Sequence, residues 1–178
     1  GVDEAMWDMA ARRAGLPLWK HLGAASGRVK VYASGLGPNR VVEIALQKHA
    51  QGFRAFKLKV GFDPQRDVRN LADLREALGD AATIMTDANQ AWGPREAPQR
   101  IAALAPLRPL WIEEPLLADE PPETWRALAA ASDVPLAAGE NLRGQRAFDE
   151  AIDGGWLRFV QPDVGKWGGI SGCRQVAA

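Results

Sequence analysis

Three carboxylates and two lysines stand out by their type and spacing. Asp87 in TDANQ, Glu113 in WIEEP and Glu140 in AAGEN each close a short apolar run rich in β-forming residues, and a helix-like stretch follows each. If the runs are parallel strands, side chains at their carboxyl ends converge on one rim. Carboxylates crowded there repel one another unless a cation lies between them, and oxygen-only donors suit a hard divalent ion, Mg²⁺ above all. Lys57 and Lys59, in AFKLKVG, end the run that precedes the first carboxylate. Residues two apart on a strand face the same side. A lysine pair beside a metal triad suits acid–base chemistry on an anion.

The elements that must position these groups repeat along the chain. VKVYASG, AFKLKVG, ATIMTDANQ, LWIEEPL, PLAAGEN and LRFVQPDVGKWGG read as strands, each followed by a helical pattern. Strand starts recur roughly every 22 to 28 residues, the size of a compact βα unit. No hairpin signal interrupts the series, so a right-handed parallel β/α arrangement follows, either an open doubly wound sheet or part of an eight-stranded barrel. Polar residues close nearly every strand rather than one or two switch-point strands, which favours the barrel. Before the first strand, residues 2–22 carry apolar residues at helical spacing and break at Gly15 and Pro17. The chain opens on Gly1 inside that pattern and stops at Ala178 inside another, so both ends read as cut.

Composition narrows the function classes. The 178 residues suffice for one sizeable core, and 22 Lys plus Arg balance 22 Asp plus Glu, so no global field favours nucleic acid or an anionic membrane. A single cysteine, Cys173, excludes an internal disulfide framework and fits a reducing, cytoplasmic setting. No apolar stretch reaches membrane-spanning length.

The ordered segments DEAMWDMAARRAGLPLWKHLG, FKLKVG, DANQAW, WIEEPL, AAGEN and QPDVGKWGGIS resemble the enolase superfamily, in its mandelate racemase and muconate lactonizing enzyme branch, over essentially the whole chain. Each segment is a weak signal alone; the ordered set is a strong one. The resemblance implies an α/β fold of the (β/α)8 TIM-barrel type, present as about six βα units behind a leading helix. Residues 1–28 would be the helix and linker leading in, and residues 29–178 a partial barrel without the capping domain or the last two units. It implies Mg²⁺ held by Asp87, Glu113 and Glu140, with Glu113 rather than its neighbour Glu114 as ligand. Lys59 corresponds to the general base and Lys57 to the lysine that influences it. Two ammonium groups beside a divalent cation disfavour the charged form, and this makes a lysine usable as a base.

Other roles stay open. Asn89 hydrogen-bonds substrate or shapes a turn. Glu114 pairs with a base or binds substrate, and Arg143 meets a substrate carboxylate or forms a surface ion pair. In QPDVGKWGG, Asp163 matches the aspartate that orients a histidine in racemase-like members, and Lys166 matches the second acid–base lysine of lactonizing members. Neither His21 nor His49 is placed to serve as that histidine. The implied reaction removes the proton α to a small carboxylate, giving an enediolate. Dehydration of an acid sugar comes first, with racemization, epimerization or cycloisomerization as alternatives, in an enzyme that assembles as a homo-oligomer when full length. A non-catalytic fragment or scaffold and a Schiff-base barrel enzyme are the competing classes.

Overall fold

The computed structural model describes residues 1–178, which divide into two compact units. One comprises Val31–Ala138 and Ala151–Val160, and the other Gly1–Lys30, Gly139–Glu150 and Gln161–Ala178.

The first unit holds a six-stranded sheet: β1 (Ala33–Leu36), β2 (Ala55–Lys59), β3 (Thr83–Asp87), β4 (Ile112–Glu113), β5 (Leu136–Ala138) and β6 (Phe159–Val160). Every neighbouring pair is parallel, and the strands lie side by side in chain order. That order never reverses, so the sheet has no switch point of the doubly wound kind. The crossovers carry α3 (Val41–Ala50), α4 (Pro64–Leu78), α5 (Ala97–Leu104) and α6 (Pro122–Ala131), which follow α1 (Val2–Arg13) and α2 (Leu18–His21) of the other unit.

Alternation along each strand makes two chemically distinct faces. Phe56, Leu58, Ile84, Ile112 and Leu136 are all at most 2 % exposed. Burial of each such side chain stabilises the fold by roughly 1.5–3 kcal/mol. The opposite face begins apolar, with Met85, Trp111 and Ala137 packed against Tyr32, Ala55 and Phe159, and turns charged at the strand ends. α4 starts where Asp63 accepts the Arg66 N–H at 2.8 Å ahead of Pro64, and it buries Leu71 and Leu74. α6 buries Trp125 and Leu128, with the Trp125 ring 5.0 Å from Trp156.

The second unit contains α1, α2 and α8 (Gly169–Ala177). Gly15, at φ 65°, and Pro17 separate α1 from α2, which is where the sequence breaks. Asp3 serves α8 as a cap from outside: it accepts Ser171 N at 3.0 Å and Ser171 Oγ at 2.5 Å. α7 (Gln145–Asp153) carries Phe148, fully buried, its ring 5.3 Å from Trp167.

Two segments differ from the sequence expectation. The first strand is shorter than VKVYASG: Val29 and Val31 are 80 % and 63 % exposed, and pairing begins only at Ala33. Their alternation reads as a strand, but no neighbouring strand lies beside them to pair with. The helical face of α1 is also mostly open, with Met6 and Met9 exposed and Ala11 its one buried residue.

Gly139 ends β5 at φ 148°, and a Cβ there would sit 2.6 Å from backbone atoms of Gln161. Backbone cannot move aside as a flexible side chain can. Gly139→Ala is therefore expected to cost at least about 2 kcal/mol in urea unfolding, against about 1 kcal/mol for Gly144→Ala, whose Cβ meets nothing within 4 Å.

Candidate active site

The parallel register of the first unit puts the chemistry on one rung. Lys59 pairs with Asp87 and Asp87 with Glu113, the last residues of β2, β3 and β4, and Glu113 pairs with Ala137 within β5. Asp87 and Glu113 are each 2 % exposed. Lys57 sits one step back on the same face, and its Nζ lies 2.5 Å from Glu113 Oε1 and 3.1 Å from Asp87 Oδ2. Lys59 Nζ reaches the same Asp87 oxygen at 2.7 Å. The two lysines differ in access: the Lys57 side chain is 8 % exposed and that of Lys59 33 %. Lys57 is thus the internal counter-ion, and Lys59 the ammonium that opens toward solvent.

The chain around Lys59 is pinned at successive residues. Val60 N–H donates to Asp87 O at 2.9 Å, and Gly61 N–H donates to Oδ2 of the buried Asp67 at 2.8 Å. Gly61, at φ 94°, leaves no room for a side chain, because a Cβ would lie 2.6 Å from Ala91 Cβ. After Asp87, Asn89 turns at φ 47°, and its N–H donates to Asp87 Oδ1 at 2.9 Å. The Asn89 backbone thereby shapes the turn, and its side chain takes no part in that bond. Glu113 and Glu114 part ways as adjacent strand residues should. Glu114, 1 % exposed, leaves the strand at φ 42°, and its carbonyl accepts the Gln90 N–H at 2.7 Å.

Burial works against the Lys57 ammonium. The hydrogen bond to Glu113 and the charges of Asp87 and Glu113 outweigh it and raise its pKa above the ordinary lysine range. Burial likewise opposes the Asp87 carboxylate, but the hydrogen bond from Lys59 and the two ammonium charges hold its pKa below the ordinary value.

In the second unit, Lys166 Nζ lies 3.1 Å from Glu140 Oε1 and 3.3 Å from Asn141 Oδ1. Asp163 Oδ1 accepts the N–H groups of Gly165 at 2.7 Å and Lys166 at 3.2 Å, which fixes the turn that presents Lys166. Arg143 folds back onto the carbonyls of Glu140 and Leu142 at 3.0 and 2.9 Å.

No three His, Cys, Asp or Glu side chains are grouped so as to hold a metal ion. The donor chemistry of Asp87 and Glu113 still fits one. Both offer only oxygen, both are buried, and a cationic Nζ already bridges them. Mg²⁺ needs only one or two carboxylates, with water and substrate completing its octahedron.

Sequence reading missed the residues beneath this rung. Trp111 Nε1 donates to Glu113 Oε2 at 3.2 Å, and its ring packs against Tyr32 and Phe159. Lys57 Nζ stands 5.5 Å above the Tyr32 ring. Trp111 precedes Glu113 by two, so strand periodicity carried the signal. Trp92 is 3 % exposed and belongs to the core.

Residues 40–178 match the enolase C-terminal domain-like family. The chain belongs to that family. Among solved structures, the enolase-like chain superposes on a mandelate racemase/muconate lactonizing enzyme from Bordetella bronchiseptica with TM-score 0.97 and 51 % identity, over 99 % of this chain and 49 % of that one. A racemase from Streptomyces coelicolor with bound magnesium gives TM-score 0.93 and 39 % identity, over 99 % and 54 %. An L-talarate/galactarate dehydratase from Salmonella typhimurium is 41 % identical, over 96 % of this chain and 44 % of its own length. The enolase-like chain thus spans about half the length of these relatives. None of its helices is long and apolar enough to cross a membrane.

Removing Lys57 would leave two buried carboxylates short of their shared cation. Lys57→Met is expected to cost about 3–5 kcal/mol in urea unfolding. The pKa of Lys57 is raised on folding, so its contribution is fully present below the unfolded lysine value of about 10.4 and lost as pH rises through the folded value. The gap between the two proteins should therefore hold through neutral pH and narrow only in alkali. Asp87 has the opposite sign: its contribution is present above about 3.9 and lost as pH falls. Asp87→Asn should accordingly flatten the acid limb of the stability profile.

Proposed function

We propose that this chain carries the rim of a Mg²⁺-dependent enzyme that removes the proton α to a carboxylate, a dehydratase of an acid sugar in the first instance. The observation that carries the reading is the single rung of Lys59, Asp87 and Glu113, with a cation bridging the two acids. The family membership and the dehydratase relative support it. In this reading the parallel sheet is part of a (β/α)8 barrel, residues 29–178, with residues 1–28 leading in. Its partner is a small carboxylate, its setting cytoplasmic, and its working form a homo-oligomer.

Asp87 and Glu113, with Glu140 as the third ligand, would hold the Mg²⁺. Bound there, it supplies Lewis-acid stabilisation of negative charge on the substrate carboxylate. Lys59 Nζ, the more accessible lysine, first gives up a proton to solvent and then, as the neutral amine, takes the α-proton, and the electron pair moves into the carboxylate to give an enediolate. Lys57 holds Asp87 and Glu113 in register without touching substrate. Asn89, Glu114 and Arg143 would border the substrate. A proton donor opposite Lys59 then assists loss of a β-hydroxyl as water.

A second reading, racemization or epimerization, draws on Lys166. Asp163 fixes the turn that carries this lysine, and its ammonium meets Glu140, a proposed ligand. Return of a proton from Lys166 to the opposite face of the same carbon would invert it.

The test follows the α-proton by NMR in D₂O with Mg²⁺ and a panel of acid sugars. Exchange should require Mg²⁺, stop with EDTA, and fall by at least about 10²-fold in Lys59→Ala and in Glu113→Gln. Turnover that survives EDTA, with a borohydride-trapped lysine adduct, would instead establish the Schiff-base class. Exchange without net product, sensitive to Lys166→Met, would move the assignment to the isomerase.

A further inference from the structure

Beneath the rim lies an interaction that the reaction just described does not use. Glu113 has two carboxylate oxygens with different partners: Oε1 meets the Lys57 ammonium at 2.5 Å, and Oε2 accepts the Trp111 indole N–H at 3.2 Å. An indole nitrogen is a donor only, so this contact can serve nothing but an acceptor. The ring that supplies it cannot swing away. Trp111 is 8 % exposed, edge-on to Tyr32 at 6.0 Å and tilted against Phe159 at 4.7 Å, with Met85 and Ala137 in the same cluster.

A second buried indole provides the contrast. Trp92 is 3 % exposed and its Nε1 has no hydrogen-bond partner. Four tryptophans are buried in this unit, Trp92, Trp111, Trp125 and Trp156, and of these Trp111 is the one whose indole N–H is aimed at a carboxylate of the rung.

We infer that Trp111 is a positioning residue for Glu113: its clamped N–H holds Oε2 and so fixes Oε1 on the cation-binding side, setting the affinity of the rim for Mg²⁺. This rests on the metal reading of Glu113 proposed above. A ligand held by a rigid second partner loses little freedom when a cation binds, and removing such partners typically weakens metal sites 10- to 100-fold. Trp111→Phe keeps an aromatic ring in the cluster and deletes only the donor and part of the ring area.

Mg²⁺ alone is the probe, titrated by calorimetry into the protein, Trp111→Phe and Trp92→Phe, with the indole ¹H–¹⁵N resonances followed in parallel. Trp111→Phe should raise the Mg²⁺ dissociation constant about 10- to 100-fold. Trp92→Phe should leave it unchanged, and the Trp111 indole resonance of the unsubstituted protein should shift on Mg²⁺ saturation. Equal affinity in Trp111→Phe, equal weakening in Trp92→Phe, or an indole resonance that ignores Mg²⁺ would each overturn the inference. If Trp111→Phe does not fold, the resonance alone decides. An unsubstituted protein that binds no Mg²⁺ removes the metal reading itself. Binding without dependence on Trp111 removes only this inference.

Discussion

The rim depends on one buried cation between two buried acids. Asp87 and Glu113 are both 2 % exposed on adjacent strand ends, a placement that like charges in a low dielectric would not tolerate by themselves. The Lys57 ammonium meets both of them. Its own burial is just as unfavourable alone. Each charge is therefore tenable only in the company of the others, and the cluster's geometry is tightly specified.

Register provides that company. A parallel sheet with strands in chain order brings the last residues of β2, β3 and β4 onto one rung, so Lys59, Asp87 and Glu113 meet although 54 residues separate the first from the last (113 − 59). A shift of one residue in any strand would exchange the two faces and put a charged group among Leu58, Ile84 and Ile112. The apolar face behind the sheet thus holds the charged face in position. The aromatic layer of Tyr32, Trp111 and Phe159 packs together on the charged face, with Trp111 bonded to Glu113.

The proposed Mg²⁺ site draws on this arrangement, with Lys57 kept between the two acids. Carboxylates already organised around a positive centre need little reorganisation to accept a divalent ion, and such preorganisation is the main source of electrostatic catalysis. The division of labour between the lysines follows from depth alone: one step further along β2, Lys59 gains the solvent access that Lys57 lacks.

Much of this was legible in the residues. Alternating apolar runs with helical stretches between them determined the parallel α/β class, because side-chain period is a local property. The types and strand-end positions of Asp87, Glu113, Lys57 and Lys59 determined that charge would gather at one rim. Valines 29 and 31 mark the limit of that reasoning: their alternation is that of a strand, but a strand forms only where a neighbour can pair with it. Tertiary structure alone decided which lysine is buried between the acids, that Asn89 turns the chain, that Arg143 folds back on its own loop, and that Trp111 reaches Glu113. Those outcomes depend on distances across strands and on what lies above and below each side chain. Residue type and spacing along one strand do not contain them.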